Sequence, residues 1–223
     1  MKLLTKSEIR VLMDRLDALY PQPACELDYR EPWQLLIAVI LSAQCTDKRV
    51  NQITGELFRK YRSPEDVRKA PIEEIEEDIR SAGFFHNKAK SIKGSMDMLE
   101  EEFGGRMPET MEEMLRLPGV ARKTANVVLG ECFRKAEGIA VDTHVKRLSG
   151  KIGLSHAKTP VDIERDLMKK IPRDKWIDIS HQLILHGRRV CSARKPNCGE
   201  CSLRDLCATG RLSSVTLQKS GEI

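Results

Sequence analysis

Four cysteines fall within seventeen residues near the C-terminal end of the sequence: Cys191, Cys198, Cys201 and Cys207, spaced C-x6-C-x2-C-x5-C. A run this dense obliges the chain to fold around one small volume that four thiolates share. Soft sulfur ligands in tetrahedral S4 geometry select zinc or an iron–sulfur cluster. Zinc modules usually divide their ligands into two close pairs, and only Cys198 and Cys201 form such a pair. The unequal spacing therefore favours a [4Fe–4S] cluster. Cys25, Cys45 and Cys132 are scattered, and single buried thiols need no special role.

A chain of 223 residues can bury one large core or two small ones. Charged residues make up 32% and aromatic residues 4%, so the core must be aliphatic. The longest unbroken apolar run, Leu35 to Leu41, is far shorter than the ~18 residues of a membrane span. No membrane association is expected. The N-terminus reaches charge at Lys2 without the apolar core of a signal peptide, and the cysteine count is odd. Both suggest a reducing cytoplasm. A formal net charge of +5 hints at a polyanionic partner.

The periodicity is helical almost throughout. Thr5 and Glu8 form a capping box ahead of Ile9, Leu12, Met13, Leu16 and Leu19 at helical spacing, and Pro21 stops the run. Ser63-Pro64-Glu65-Asp66 and Thr159-Pro160-Val161-Asp162 repeat one start signal: a cap, a proline at the first helical position and an acid in the first turn. Ile72, Ile75, Ile79 and Ala82 form another stripe, ended by Gly83. Further helices are expected at 33–44, 48–61, 87–103, 110–116, 122–134, 143–152 and 175–190. No segment alternates apolar and polar residues, so no strand is expected. The prediction is an all-α protein.

Leu117-Pro118-Gly119-Val120-Ala121-Arg122-Lys123 reads as a helix end, a tight turn and a helix start near Arg122. Consecutive backbone N–H groups and the positive end of a helix dipole make a natural seat for phosphate. An ordinary helix corner has the same pattern.

With these segments the chain resembles the helix-hairpin-helix DNA glycosylases, and among them the endonuclease III branch. The resemblance rests on Leu41-Ser42-Ala43-Gln44 with Thr46-Asp47, on Leu117-Pro118-Gly119-Val120 leading to Lys123-Thr124-Ala125, and on Val141-Asp142-Thr143-His144. Leu185-His186-Gly187 and the four cysteines complete it. It implies two helical domains with a cleft between them. One is a six-helix barrel over 25–135 that carries the hairpin; the other, 1–24 plus 136–223, holds a [4Fe–4S] cluster on Cys191, Cys198, Cys201 and Cys207. It implies Lys123 and Asp142 as the catalytic pair, and damaged or abasic duplex DNA as the partner of a monomer in the cytoplasm, at the nucleoid. The implied reaction is excision of oxidised pyrimidines followed by an abasic-site lyase step.

The chemistry of those residue types agrees. Breaking an N-glycosidic bond builds oxocarbenium charge that a nearby carboxylate stabilises. An amine that attacks C1′ leaves a Schiff base, which permits β-elimination of the 3′ phosphate. The amine must be neutral, and Lys123 has both a helix start and the apolar neighbours Ala125, Val127 and Val128 to favour that form. Asp142 precedes a helix and could serve only as its N-cap; the two roles are compatible. The family's hairpin has a second glycine where this chain has Ala121, a position expected to be already helical. Gly119, Ala121 and Arg122 are the expected phosphate contacts. The hairpin's carbonyls, those of Leu117 and Val120, can also hold a monovalent cation.

A base inside the stack is out of reach and must be flipped out. By resemblance Gln44 fills the vacated space and Phe84 wedges between bases. Ser42, Asp47 and His144 are expected around the pocket, with Asp47 capping the next helix. Arg194 and Lys195, between the first two cluster cysteines, are expected on the DNA backbone. Lys88 and Lys90 read either as phosphate contacts or as solvated residues. A mismatch glycosylase acting on adenine or thymine is the nearest alternative, but the adenine enzymes carry a glutamate at the position of Ala38 and lack a lysine at 123. A DNA-binding iron–sulfur protein without catalysis is the alternative from another class.

Overall fold

The described residues of this computed structural model, 2–211, are helical and contain no strand. The helices are α1 (Lys6–Leu19), α2 (Pro32–Leu41), α3 (Asp47–Lys60), α4 (Pro64–Lys69), α5 (Ile72–Asp78), α6 (Phe85–Phe103), α7 (Met111–Met114), α8 (Arg122–Phe133), α9 (Thr143–Ile152), α10 (Pro160–Lys170) and α11 (Trp176–Arg189). A further helical turn begins at Ala208. Two compact units are present, Cys25–Glu137 and Met1–Ala24 with Gly138–Ile223. The stretch 212–223, part of the cluster domain read from the sequence, lies outside the described residues.

In the unit Cys25–Glu137 the apolar run forms α2, and every residue from Trp33 to Leu41 is buried. A helix that is apolar all round must be enclosed, and α3, α6 and α8 pack against it. Its start is held by Gln34, whose Oε1 accepts from the backbone N–H groups of Arg30 at 2.8 Å and Glu31 at 3.2 Å. The sequence extends this helix to 44, but it ends at Leu41, and Gln44 takes a left-handed φ of 54°. The helix expected at 87–103 starts two residues earlier, immediately after a left-handed Phe84.

The hairpin between α7 and α8 packs on α6. Gly119 has φ 77°, and a Cβ there would lie 2.5 Å from both Cβ and Oγ of Ser91. Ser95 Oγ donates to the Pro118 carbonyl at 2.9 Å. Ala121 is extended, at φ −101° and ψ 170°, rather than helical as expected. Either way alanine fits without left-handed strain; only Gly119 needs to be glycine.

In the other unit α9 packs along α11. The contact is close at Gly187, where a Cβ would stand 2.8 Å from His144 Nδ1 and 3.0 Å from Arg147 Nη2. Arg147 Nη2 donates to the carbonyls of Gly187 at 3.0 Å and Cys191 at 2.8 Å, tying α9 to the start of the cysteine loop. Burial pushes the His144 imidazole below its ordinary range; the Asp142 carboxylate opposes this, while Arg147 and Arg188 add to it. Burial moves His186 of α11 the same way.

Two outcomes follow from this packing. Gly119→Ala combines left-handed strain with overpacking against Ser91 and should cost about 2–4 kcal/mol in urea unfolding. His144 takes its proton in the unfolded chain before it does in the folded one. Its contribution is therefore complete above about pH 6.5 and is lost as the pH falls from there towards the lower folded value. Melting temperatures should decline through that window, and His144→Gln should flatten the decline while His186 retains part of it.

Candidate active site and cluster site

The loop after α2 carries three of the residues singled out from the sequence. Ser42 Oγ donates back to the Val39 carbonyl at 2.8 Å, which closes the end of the helix. Gln44 is exposed on its left-handed turn. Asp47 is half-buried as the first residue of α3, but the cap is Thr46, whose Oγ1 accepts from Arg49 N–H at 3.4 Å. The expectation that Asp47 caps α3 is therefore corrected. A cap must precede the first helical residue, and Thr46, with φ −76° and ψ 147°, has the extended backbone that capping requires.

Phe84 follows Gly83, both with positive φ, and is 66% exposed. An aromatic ring left that open on a strained turn is an unpaired apolar surface. Lys88, one turn into α6, is neither a phosphate contact nor solvated: it is buried, at 6% exposure. Lys90 is exposed.

At the hairpin, Val120 N–H closes the turn on the Leu117 carbonyl at 3.1 Å. α8 then begins without a side-chain cap, because Ala121 has no acceptor to offer. A helix start of this kind is available to an anion. Gly119 and Ala121 are exposed there, and Arg122 is half-buried. Lys123 is the second residue of α8 and half-buried. Lys123, Asp47 and Glu131 all lie within electrostatic reach of Cys25, whose thiol burial pushes up to about 11. This brings Lys123 and Asp47 to one region of the unit.

In the other unit Asp142 is the N-cap of α9, its Oδ1 accepting from Val145 N–H at 2.7 Å. The carboxylate is half-buried and fixed by the cap. His144 lies two residues further on, against Gly187 and Arg147.

Cys191, Cys198, Cys201 and Cys207 are half-buried free thiols that line one cavity with Ile152, Leu203 and other apolar residues. Among the described residues no three cysteine, histidine or acidic side chains converge to hold a single metal ion. Burial raises the Cys191 and Cys201 thiols, and bound iron would hold them as thiolates. Arg204 also lines this cavity, and its Nε is buried without an acceptor, which suits an anionic group in the space. Tyr20 OH lies 3.1 Å from His186 Nδ1, and His186 Nε2 lies 3.5 Å from Cys201 Sγ. This links α1 to a cluster sulfur, a contact the motif Leu185-His186-Gly187 does not disclose. Arg194 and Lys195 are exposed on the loop between Cys191 and Cys198; Ser192 closes that loop by donating to the Lys195 carbonyl and accepting its N–H.

No described helix is long and apolar enough to cross a membrane. Residues 37–173 match the HhH-GPD superfamily of base excision DNA repair proteins, and residues 191–207 match the iron–sulfur binding domain of endonuclease III. Endonuclease III of Synechocystis is 55% identical over 198 residues, 89% of this chain and 90% of that protein. Endonuclease III of Escherichia coli K12 is 39% identical over 204 residues, 92% of this chain and 96% of its own. A solved non-covalent endonuclease III–DNA complex superposes with a TM-score of 0.90 at 44% identity, covering 95% of this chain and 99% of that one. A thermostable thymine-DNA glycosylase superposes less closely, at 0.82 and 25% identity over 92% of this chain and 98% of its own. The chain belongs to the endonuclease III family of HhH-GPD base excision DNA repair proteins.

Proposed function

We propose that the chain excises oxidised pyrimidines from duplex DNA and then nicks the strand, with Lys123 as nucleophile and Asp142 as its carboxylate partner. The enzyme is a DNA glycosylase with an abasic-site lyase step. The observation that carries the residue assignment is the join between hairpin and lysine: an exposed, uncapped helix start that suits phosphate leads within one residue to a half-buried amine. A phosphate seated there would deliver its neighbouring sugar to that amine.

The Lys123 nitrogen forms a bond to C1′ as the bond from C1′ to the base breaks, and the base leaves with a proton. Loss of the amine proton and opening of the sugar ring give an imine. Removal of a C2′ proton expels the 3′ phosphate, which cuts the strand. Asp142, fixed by Val145 N–H, supplies the negative charge that stabilises the oxocarbenium character of the first step. Gln44 and Phe84 are the plug and wedge that hold the duplex open. Ser42, Asp47 and His144 line the base pocket. Gly119, Ala121, Arg122, Arg194 and Lys195 meet phosphates. The carbonyls of Leu117 and Val120 offer a seat for a monovalent cation.

The protein carries a [4Fe–4S] cluster, and Cys191, Cys198, Cys201 and Cys207 are its ligands. When bound, the cluster supplies a rigid anchor for the loop bearing Arg194 and Lys195. The enzyme works as a monomer, at the nucleoid in the cytoplasm.

Lys123→Gln should abolish cleavage of a thymine glycol duplex and the borohydride-trapped protein–DNA adduct, while gel-shift affinity for the same duplex persists. Asp142→Asn should slow base release by about 100-fold or more, read in single turnover. Cleavage confined to an A·8-oxoguanine duplex would instead favour the adenine-specific alternative. Cys198→Ser should lower the iron content and brown colour of the purified protein; a colourless native protein containing zinc would remove the cluster assignment.

A further inference from the structure

Lys88 is the buried cation whose role the assignments above leave open. It projects from α6 into the unit Cys25–Glu137, and its Nζ donates to three backbone carbonyls, those of Leu41, Ala43 and Ala82, each at 2.8 Å. Those bonds use all three ammonium hydrogens. Burial disfavours the charge, and the Cys45 thiol opposes that effect. An apolar side chain would avoid desolvating an ammonium, but it would leave these three carbonyls without their donor. The charge therefore serves geometry.

The three acceptors identify that geometry. Leu41 and Ala43 flank the turn to Gln44, and Ala82 stands two residues before Phe84. Gln44 and Phe84 are two of the three non-glycine residues with positive φ among the described residues. The Phe84 turn has no side-chain cap, since α6 begins there without one. The two loops are 38 residues apart in sequence, as 82 − 44 shows, and one ammonium joins them.

We propose that Lys88 is a positioning residue that locks the Gln44 loop to the Phe84 loop, so that both side chains enter the duplex in register. The inference rests on the roles given to Gln44 and Phe84 above and adds the residue that couples them. Lys88 does not touch DNA; it fixes the carbonyls on which both turns are built.

The test compares two duplexes in single turnover, one with thymine glycol opposite adenine and one with thymine glycol opposite an abasic analogue. In the second there is no partner base to leave and little pairing to break, so plug and wedge matter less. Lys88→Met should slow cleavage about 100-fold on the paired lesion and stay close to the wild type on the unpaired one. A Gln44→Ala, Phe84→Ala double variant should behave alike, and adding Lys88→Met to it should cost nothing more. Should Lys88→Met not accumulate as folded protein, Lys88→Gln, which keeps two donors and loses the charge, carries the same comparison. Equal losses on both duplexes, full activity on the paired lesion, or additive losses in the triple variant would overturn the lock. A wild type inert on both duplexes would instead bring down the functional reading on which the lock rests.

Discussion

The enclosure of α2 is the constraint on which the unit Cys25–Glu137 depends. From Trp33 to Leu41 no face of that helix is exposed, so its neighbours are required, not optional. Polar business is confined to its two ends. At the start, Gln34 takes up the free N–H groups; at the finish, Ser42 turns its hydroxyl back on the helix. The chain emerges from the densest packing of the unit directly into the Gln44 turn. A side chain three residues beyond a fully buried helix inherits a rigid base, which the role proposed for Gln44 needs. The same economy operates at the hairpin, where the approach of Gly119 to Ser91 fixes the turn against α6 just before the helix that carries Lys123.

The unit that holds Asp142 obtains rigidity differently. It has no wholly apolar helix of that kind among the described residues; α9 carries Val145, Leu148 and Ile152 on one buried face. Precision comes from backbone contacts. Gly187 lets His144 and Arg147 press against α11, and Arg147 then grips the carbonyl of Cys191. The carboxylate that caps α9 and the first cysteine of the cluster loop are thereby referred to the same two helices. A change in how the cysteine loop is held would reach Asp142 through Arg147 and His144 without any large movement of the core.

Much of this was legible from residues alone because it is local. The caps at Thr5, Ser63 and Thr159 form as expected, since each depends on a partner three residues away. The all-helical class follows from stripes and stops, and the cysteine run points to its own site. What escaped is non-local or depends on backbone angles. The end of α2 at Leu41 escaped because apolar side chains give no signal for where a helix ends. Lys88 reads as a surface lysine, since two of its three acceptors lie more than forty residues away. Thr46 and Asp47 are both competent caps by type, and only the extended backbone at Thr46 decides between them. Ala121 escaped because an alanine at a helix start has no signature: helical and extended conformations suit it equally.

The third left-handed residue, Arg134, sits in a different local setting from the other two. Arg134, at φ 53°, is the C-cap of α8, and its N–H returns to the Gly130 carbonyl at 3.2 Å. A left-handed residue at a helix end is an ordinary way to finish a helix, and nothing further is required to explain it. Phe84 stands at the opposite end of its helix, where the N-cap normally has extended angles and a side-chain acceptor. Gln44 lies three residues beyond α2 and precedes the extended Thr46 that caps α3. Each carries about 1–2 kcal/mol of strain, and a local backbone bond, Cys45 N–H to the Ser42 carbonyl at 3.1 Å, closes the Gln44 turn. Such angles persist only where the surroundings over-determine them. The three carbonyl bonds of one buried ammonium hold the backbone beside both turns, so on the role proposed for Lys88 one interaction sets the alignment of both loops.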